Sequence, residues 1–152
     1  MITVRRTDSK DTHFRTLTGM LDAELAVIDG DDHAFYMQYD GIADIKYALV
    51  AYVDGEPAGC GAIKHFSNDS AEIKRMYVHT AHRRGGIASM LVKELEQWAK
   101  ELGYTSCVLE TGKRQPWAIA LYTRLGFERI PNYGQYEGVD NSVCFRKLCR
   151  LP

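Results

Sequence analysis

Two adjacent arginines followed by two glycines are the residues of this sequence best suited to bind an anion. The run Arg83-Arg84-Gly85-Gly86 lies between a strand-like segment and the clearest helical pattern of the chain. No Ser, Thr, Asp or Asn is placed to cap that helix, so its first backbone N–H groups need another acceptor. Glycines let the backbone approach a ligand closely, and the helix dipole and the arginines favour phosphate oxygens. The run predicts a pyrophosphate cradle, with a plain surface turn as the alternative.

Other residues that commonly carry chemistry form no comparable pattern. His79 and His82 lie in a predicted loop without a third ligand nearby, so we expect no metal site. The four cysteines are scattered and form no CxxC pair, which argues against a zinc site or a disulfide framework. Together with the lack of a signal-peptide pattern, this cysteine usage indicates a reduced, cytoplasmic protein.

The spacing of apolar residues predicts the elements that hold the cradle. Strand-like segments occur at residues 1–6, 47–53, 58–63, 71–78, 106–110, 127–130 and 142–148. Helical spacing occurs at residues 13–28, 88–102 and 116–125. Asp54-Gly55 separates the second strand from the third and is typical of a tight hairpin turn. Strands that alternate with helices after a hairpin predict a mixed α/β sheet.

The predicted strand 71–78, just before the cradle, has one irregularity in its pattern. Ile73 and Met76 are three positions apart, whereas strict alternation would place apolar residues two or four apart. A β-bulge between them would return both side chains to the same face of the sheet.

Size and overall charge narrow the class of protein. The 152 residues fit one domain, 1–152, and 45% hydrophobic with 26% charged residues is typical of a folded soluble protein. A net charge of −1 disfavours a nucleic-acid-binding protein, which usually carries a basic surplus. The longest apolar run, 47–53, is far shorter than the roughly 20 residues of a membrane helix, so we expect no membrane partner.

Charges are unevenly distributed along the chain. Residues 20–45 contain seven acids and no Lys or Arg, whereas residues 74–114 contain eight basic residues and four acids. One segment would favour a cationic ligand and the other an anionic ligand. The alternative is two solvated faces of opposite sign.

The cradle and a second segment together resemble a known family. The run from Arg83 to Ala88 resembles the acyl-CoA signature Q/R-x-x-G-x-G/A of the GNAT superfamily of N-acetyltransferases. Downstream, LETGKRQPWAIALYTRLGF (Leu109 to Phe127) is similar to the second hallmark of that family, a strand end followed by a helix with AxxLY and then GF. The resemblance extends from Ala71 to Ile130, with both segments in the family's order.

The resemblance implies a mixed, mostly antiparallel sheet of six to seven strands, flanked by helices, in which strands 71–78 and 106–110 splay apart. Acetyl-CoA would lie in that wedge as co-substrate, without a metal. The backbone of Met76, Tyr77 and Val78 would bind the pantetheine arm and the acetyl carbonyl. Gln115 takes the place of an asparagine that contacts the cofactor in many members. The residues implied to hold the pyrophosphate are Arg83, Arg84, Gly85, Gly86, Ile87, Ala88 and Ser89.

Two residues match the family's catalytic positions. Tyr122 matches the helix tyrosine that protonates the departing thiolate, although its apolar stripe also fits a core residue. Glu72 matches a glutamate that some members use as general base through a water, and it could instead pair with Lys74 or Arg75. Glu110 is the fallback for the base.

The implied activity is transfer of an acetyl group from acetyl-CoA to a primary amine, by direct transfer in a ternary complex because no cysteine stands beside a candidate base. The alternative is a non-catalytic acyl-CoA sensor on the same fold. The acceptor would be a small-molecule or peptide amine, and a homodimer is left open. Because the acid-rich N-terminal region of such proteins commonly walls the acceptor side, we expect neutral or cationic amines to be preferred over acidic ones.

Overall fold

The computed structural model describes residues 1–149, which form one sheet with helices on both faces. Its strands are β1 (Ile2–Thr7), β2 (Tyr47–Val53), β3 (Glu56–His65), β4 (Ser70–Val78), β5 (Ser106–Gly112), β6 (Glu128–Ile130) and β7 (Ser142–Leu148). Its helices are α1 (Thr12–Asp29), α2 (His33–Met37), α3 (Ile87–Glu101) and α4 (Pro116–Arg124). Short 3₁₀ turns occur at Gly30–Asp32, Thr80–His82 and Gly134–Tyr136.

The sheet has seven strands in the order β1-β2-β3-β4-β5-β7-β6. Every neighbouring pair is antiparallel except β4 and β5, which run parallel. The predicted mixed, mostly antiparallel α/β fold is therefore confirmed.

The parallel pair in the middle of the sheet is only partly joined. Ser70–Glu72 of β4 pairs with Ser106–Val108 of β5, and beyond these residues the two strands have no common register. The rest of β4 remains paired with β3, and the rest of β5 with β7. The sheet thus opens a wedge at its centre, as the family resemblance implied.

The predicted bulge in β4 is present. The register of β3 and β4 shifts between Cys60 and Ala62, and Arg75 adopts a positive φ of 60°. As a result Ile73 and Met76 both pack against the same hydrophobic cluster. A Cβ on Gly61, opposite the bulge, would lie 2.5 Å from the Met76 sulfur, so a larger residue there would require the Met76 side chain to move.

Two hydrophobic cores lie on opposite faces of the sheet. On one face α3 buries Leu91, Val92, Leu95 and Ala99 completely, whereas Leu102, also in the predicted stripe, is 39% exposed. On the other face α1 packs through the buried side chains Phe14, Leu17 and Leu21. Each fully buried leucine stabilises the fold by about 1.5–3 kcal/mol. These helices hold the two walls of the wedge.

The segment after α1 differs from the sequence-based expectation. A 3₁₀ turn and the short helix α2 follow Asp29, where the residue pattern predicted neither. Within residues 1–149, no helix combines the length and apolar character that crossing a bilayer requires.

Candidate active site

A cleft of about 870 Å³ occupies the wedge between β4 and β5. Its walls come from the two splayed strands, from α1, from the beginning of α3 and from α4. Every residue that the sequence predicted for the site, Gly85 apart, lines this cleft. A Cβ on Gly85 would lie 3.7 Å from the carbonyl oxygen of His82, so this residue belongs to the turn before the helix.

The beginning of α3 has the geometry of an anion cradle. Gly86 is its N-cap in the left-handed conformation, with φ of 81°, and no side chain caps the helix. Arg84 also has a positive φ, 69°. A Cβ on Gly86 would meet nothing within 4 Å, which leaves open space beside the first N–H groups of the helix. This geometry fits a pyrophosphate group.

The two arginines of the cradle differ in their partners. The Arg83 guanidinium donates to the Val78 carbonyl at 2.9 Å and to Glu24 at 2.7 Å, and it lies over the ring of Tyr77. Arg84 is exposed at the cleft and forms no ion pair with any residue in 1–149. Arg84 is therefore the arginine whose donors are already available to a ligand.

Glu72 and Glu110 approach the cleft from the two strands that separate. The Tyr133 hydroxyl donates to Glu72 Oε2 at 2.6 Å, and the Lys74 ammonium lies 4.0 Å from Glu72 Oε1. The Ser142 hydroxyl donates to Glu110 Oε2 at 2.7 Å, and Glu110 forms no ion pair within residues 1–149. Burial raises the pKa of Glu110 to about 8, a range suited to a general base at neutral pH.

Tyr122 points from α4 into the same cleft. Its side chain is 6% exposed, and its ring packs edge-on against Phe127 with 5.7 Å between ring centroids. Burial raises the pKa of Tyr122 well above its usual value, so the phenol keeps its proton at neutral pH. The arrangement offers a proton donor opposite two candidate proton acceptors.

Comparisons with known proteins decide the family. Residues 16–127 match the model of the acetyltransferase (GNAT) family, which is more than half of the chain. The chain belongs to the GNAT acetyltransferase family. It is therefore an acyltransferase, as the two motifs predicted.

Individual relatives agree with this membership. An IAA acetyltransferase of Azospirillum brasilense is 36% identical over 106 residues, 69% of each chain. A structure of a putative acyl-CoA N-acyltransferase from Klebsiella pneumoniae is 28% identical, covers 99% of both chains and superposes with a TM-score of 0.82. A GNAT acetyltransferase of Elizabethkingia anophelis with acetyl-CoA bound has the same fold, at 18% identity, a TM-score of 0.68 and 97% coverage of both chains. A further curated relative, N-acetyltransferase 8 of Homo sapiens, is 40% identical over 58 residues, which is 38% of this chain and 26% of that protein.

The two oppositely charged segments of this GNAT chain face each other. Most acids of the acidic segment are therefore ion-paired, and the segment does not form an open acidic wall. Six of the seven acids in residues 20–45 form ion pairs with basic side chains elsewhere in the fold. The pairs are Asp22 and Asp40 with Arg75, Glu24 with Arg83, Asp29 and Asp32 with Arg114, and Asp44 with Lys64.

Several residues around Glu72 and Glu110 were not predicted from the sequence. They are Tyr36 on α2, Tyr133 and Tyr136 near the third 3₁₀ turn, and Asn141 and Ser142 at the start of β7. Tyr36 and Tyr136 are buried against each other, although about a hundred positions separate them in the chain. The segment between the predicted strands 127–130 and 142–148 contains tyrosines and glycines, but its local pattern did not indicate which element it would contact.

No group of three or more His, Cys, Asp or Glu within residues 1–149 is arranged to hold a metal ion. The His79 ring instead accepts a hydrogen bond from the Ala81 N–H at 3.1 Å and caps a 3₁₀ turn.

Proposed function

We propose that this protein transfers the acetyl group of acetyl-CoA directly to a primary amine in a ternary complex. The observation that carries the proposal is the uncapped cradle at Gly86, which opens into the same cleft as Tyr122 and Glu110. A phosphate-binding end and a proton-transfer end in one cleft suit a donor that carries both a pyrophosphate and a thioester.

Acetyl-CoA supplies an activated acetyl thioester, and the residues of the cleft fit it. The N–H groups of Ile87, Ala88 and Ser89 would bind the pyrophosphate, with Arg84 as the side-chain donor. The splayed part of β4, Met76 to Val78, offers the pantetheine arm an edge that β5 does not cover. The acetyl-CoA held by the Elizabethkingia relative supports this donor.

Glu110 is the stronger candidate for the general base, in place of Glu72. Glu72 already accepts a hydrogen bond from Tyr133 and lies near Lys74, so both of its oxygens have neighbours other than a substrate. Glu110 has no basic partner in residues 1–149, and its raised pKa of about 8 brings it closer to that of an ammonium. A base with a pKa near the working pH removes the proton most effectively.

Tyr122 is the candidate acid because it lies buried in the cleft and keeps its proton at neutral pH. In the proposed reaction the ammonium loses one proton to Glu110, and the free amine attacks the thioester carbonyl. The Tyr122 phenol gives a proton to the departing thiolate sulfur, and the second proton lost by the nitrogen replaces it. Overall, an ammonium and a thioester give an amide, a thiol and one proton.

The charges of the cleft indicate the class of acceptor. Asp29 and Asp40 line the cleft near Tyr36 and pair with Arg114 and Arg75, respectively. Glu110 lines the same part of the cleft and has no ion-pair partner within residues 1–149. An incoming ammonium would supply such a partner, whereas a second carboxylate on the acceptor would find its basic partners occupied. We therefore propose a neutral or cationic primary amine rather than an acidic amino acid.

The mouth of the cleft adds an apolar feature. Val27 on α1 and Trp117 on α4 both line the cleft although they are 83% and 57% exposed. Exposed apolar side chains at a cleft mouth favour an acceptor with an aliphatic or aromatic group.

Release of free CoA from acetyl-CoA, followed across a panel of amines, tests the proposal. The panel should include an arylalkylamine, an aliphatic monoamine, a polyamine and an acidic amino acid. Turnover with amines that lack a carboxylate is the expected result. Tight binding of acetyl-CoA with no turnover on any amine would instead favour the acyl-CoA sensor.

A further inference from the structure

We infer that Asn141, Tyr36 and Ser142 form an oriented hydrogen-bond chain that positions Glu110 and determines which of its oxygens takes a proton from the acceptor amine. The inference rests on the proposed function, in which Glu110 is the base. The three residues come from α2, from the loop before β7 and from the first position of β7, so only the folded chain brings them together.

The direction of every hydrogen bond in the chain follows from its two ends. At one end the Arg114 backbone N–H donates to Asn141 Oδ1 at 3.3 Å, which leaves Asn141 Nδ2 to donate to the Tyr36 hydroxyl at 3.1 Å. At the other end the Ser142 hydroxyl donates to Glu110 Oε2 at 2.7 Å. The Tyr36 hydroxyl must then donate to Ser142 Oγ, 2.9 Å away.

Close packing holds Asn141, the end of the hydrogen-bond chain away from Glu110. A Cβ on Gly112 would lie 2.7 Å from Asn141 Nδ2, so β5 can approach the amide only because residue 112 is glycine. The Asn141 carbonyl also accepts from the Lys113 N–H at 2.7 Å. Asn141, Tyr36 and Ser142 are 9%, 7% and 2% exposed, which limits competition from water.

The chain makes the two oxygens of Glu110 unequal. Oε2 accepts the Ser142 hydroxyl, whereas no residue in 1–149 donates to Oε1. Glu110 lines the cleft, so Oε1 is the atom free to receive a proton there. Once Oε1 is protonated, Oε2 still accepts from Ser142, and the chain need not reorganise during the reaction.

The hydrogen bond from Ser142 also acts on the pKa of Glu110 in the opposite direction to burial. Burial and the charges of Asp40 and Asp29 favour the protonated carboxyl, whereas Lys74 and the Ser142 hydroxyl favour the ionised form. The phenols of Tyr36 and Tyr136 face the same carboxyl. Loss of the Ser142 donor should therefore leave less of the ionised base at neutral pH.

The test measures the titration of Glu110 in the free protein by ¹³C NMR of glutamate carboxyl carbons, with Glu110→Gln used to assign the signal. Ser142→Ala should raise the pKa of Glu110 by roughly one unit, because a hydrogen bond to a charged group is lost. Ser142→Cys, a weaker donor of similar size, should give a smaller rise, and Tyr36→Phe a smaller rise still.

Ser106→Ala is the matched control. Ser106 is a fully buried serine of β5 that bonds to Ser70 rather than to Glu110. A purely structural role predicts the same titration in Ser142→Ala as in this control, and that result would overturn the inference. If Ser142→Ala fails to fold, an unmoved pKa in both Ser142→Cys and Tyr36→Phe would overturn it equally.

A kinetic measurement distinguishes failure of this inference from failure of the proposed function. The acidic limb of the kcat/KM profile should move upward in Ser142→Ala by the same amount as the NMR titration. Absence of turnover in the wild-type protein would count against the proposed function and leave the NMR comparison intact. Turnover with both the limb and the NMR titration unmoved would overturn the hydrogen-bond chain. A moved titration with an unmoved limb would instead count against Glu110 as the base.

Discussion

The Tyr133 hydroxyl donates a 2.6 Å hydrogen bond to Glu72 across the closed end of the wedge. This contact ties the first of two candidate carboxylates to the loop before β7 and raises the pKa of Tyr133, together with burial, so that the phenol remains a donor. Glu110, on the other strand, accepts a hydrogen bond from the Ser142 hydroxyl and from no other side chain within residues 1–149. The two glutamates therefore differ in their hydrogen-bond partners.

Replacement of each glutamate by glutamine should separate their roles. Glu110→Gln should lower kcat/KM on the order of 10²-fold, because the residue that accepts the ammonium proton is lost. Glu72→Gln should lower kcat/KM by less than about 10-fold, because Glu72 acts mainly through Tyr133 and Lys74. Steady-state kinetics at several pH values provide the measurement.

The pH dependence of kcat/KM distinguishes the two glutamine variants further. A base must be ionised to act, so wild-type kcat/KM should rise through a pKa of about 8, and Glu110→Gln should lack that limb. A larger loss in Glu72→Gln than in Glu110→Gln would reverse the assignment.

Glu110 should also reduce stability at alkaline pH. Its pKa is about 8 in the folded protein against 4.5 for an ordinary glutamate, so the unfolded chain binds fewer protons at pH values between these two. The free energy of unfolding contributed by this group therefore falls as pH rises from about 4.5 to about 8. Glu110→Gln cannot ionise, and its stability advantage over the wild type should grow to a few kcal/mol, roughly, by pH 9.

Thermal or urea unfolding at pH 5 and pH 9 measures this difference. The exposed Glu128 provides a control, because Glu128→Gln should show no comparable growth between the two pH values. A constant difference between Glu110→Gln and wild type across this range would contradict the raised pKa.

A negative charge in the first turn of α3 should block the cradle without harming the fold. Ser89 lines the cleft and the first turn of α3 contains no acid, so Ser89→Glu would suit the helix dipole. The same charge would repel a pyrophosphate, and we expect at least 10-fold weaker acetyl-CoA binding by calorimetry with an unchanged or higher Tm.

Met90→Glu is the matched control for this substitution. Met90 is the next residue of α3, is 38% exposed and lies outside the cleft lining. Equal effects of the two substitutions on acetyl-CoA binding would show that the phosphates do not lie at the beginning of α3.

Removal of the Tyr122 hydroxyl should slow the chemical step. Tyr122→Phe keeps the ring that packs on Phe127 but removes the proton donor, and kcat should fall on the order of 10²-fold with acetyl-CoA affinity retained. Tyr47→Phe makes the same change in a tyrosine that packs on Trp98 outside the cleft, and should be near wild type. Equal kcat in both variants, with chemistry rate-limiting, would leave Tyr122 a packing residue.

Local sequence patterns predicted the elements that hold the cradle. The three-residue spacing of Ile73 and Met76 predicted the bulge in β4, because alternation is a property of neighbouring positions. Adjacent glycines and a missing N-cap likewise predicted the uncapped beginning of α3. The central wedge followed from the family resemblance and is confirmed by the short pairing of β4 with β5.

Features that depend on distant contacts could not be predicted in this way. Helix α2 has only five residues, too few for a periodic pattern, and it is placed by contacts such as Tyr36 with Ser142. The pairing of Arg75 with Asp22 and Asp40 likewise joins segments that sequence reasoning treated as separate charged surfaces. The difference between Glu72 and Glu110 arises from these same long-range neighbours.

Single-turnover transfer from acetyl-CoA labelled with ¹³C in its acetyl group, quenched rapidly and followed by mass spectrometry, tests the central claim most directly. The label should pass from acetyl-CoA to a primary amine at the rate at which free CoA appears, with no labelled protein at any time. Label accumulating on the protein, or CoA released without any labelled amide, would contradict direct transfer in this cleft.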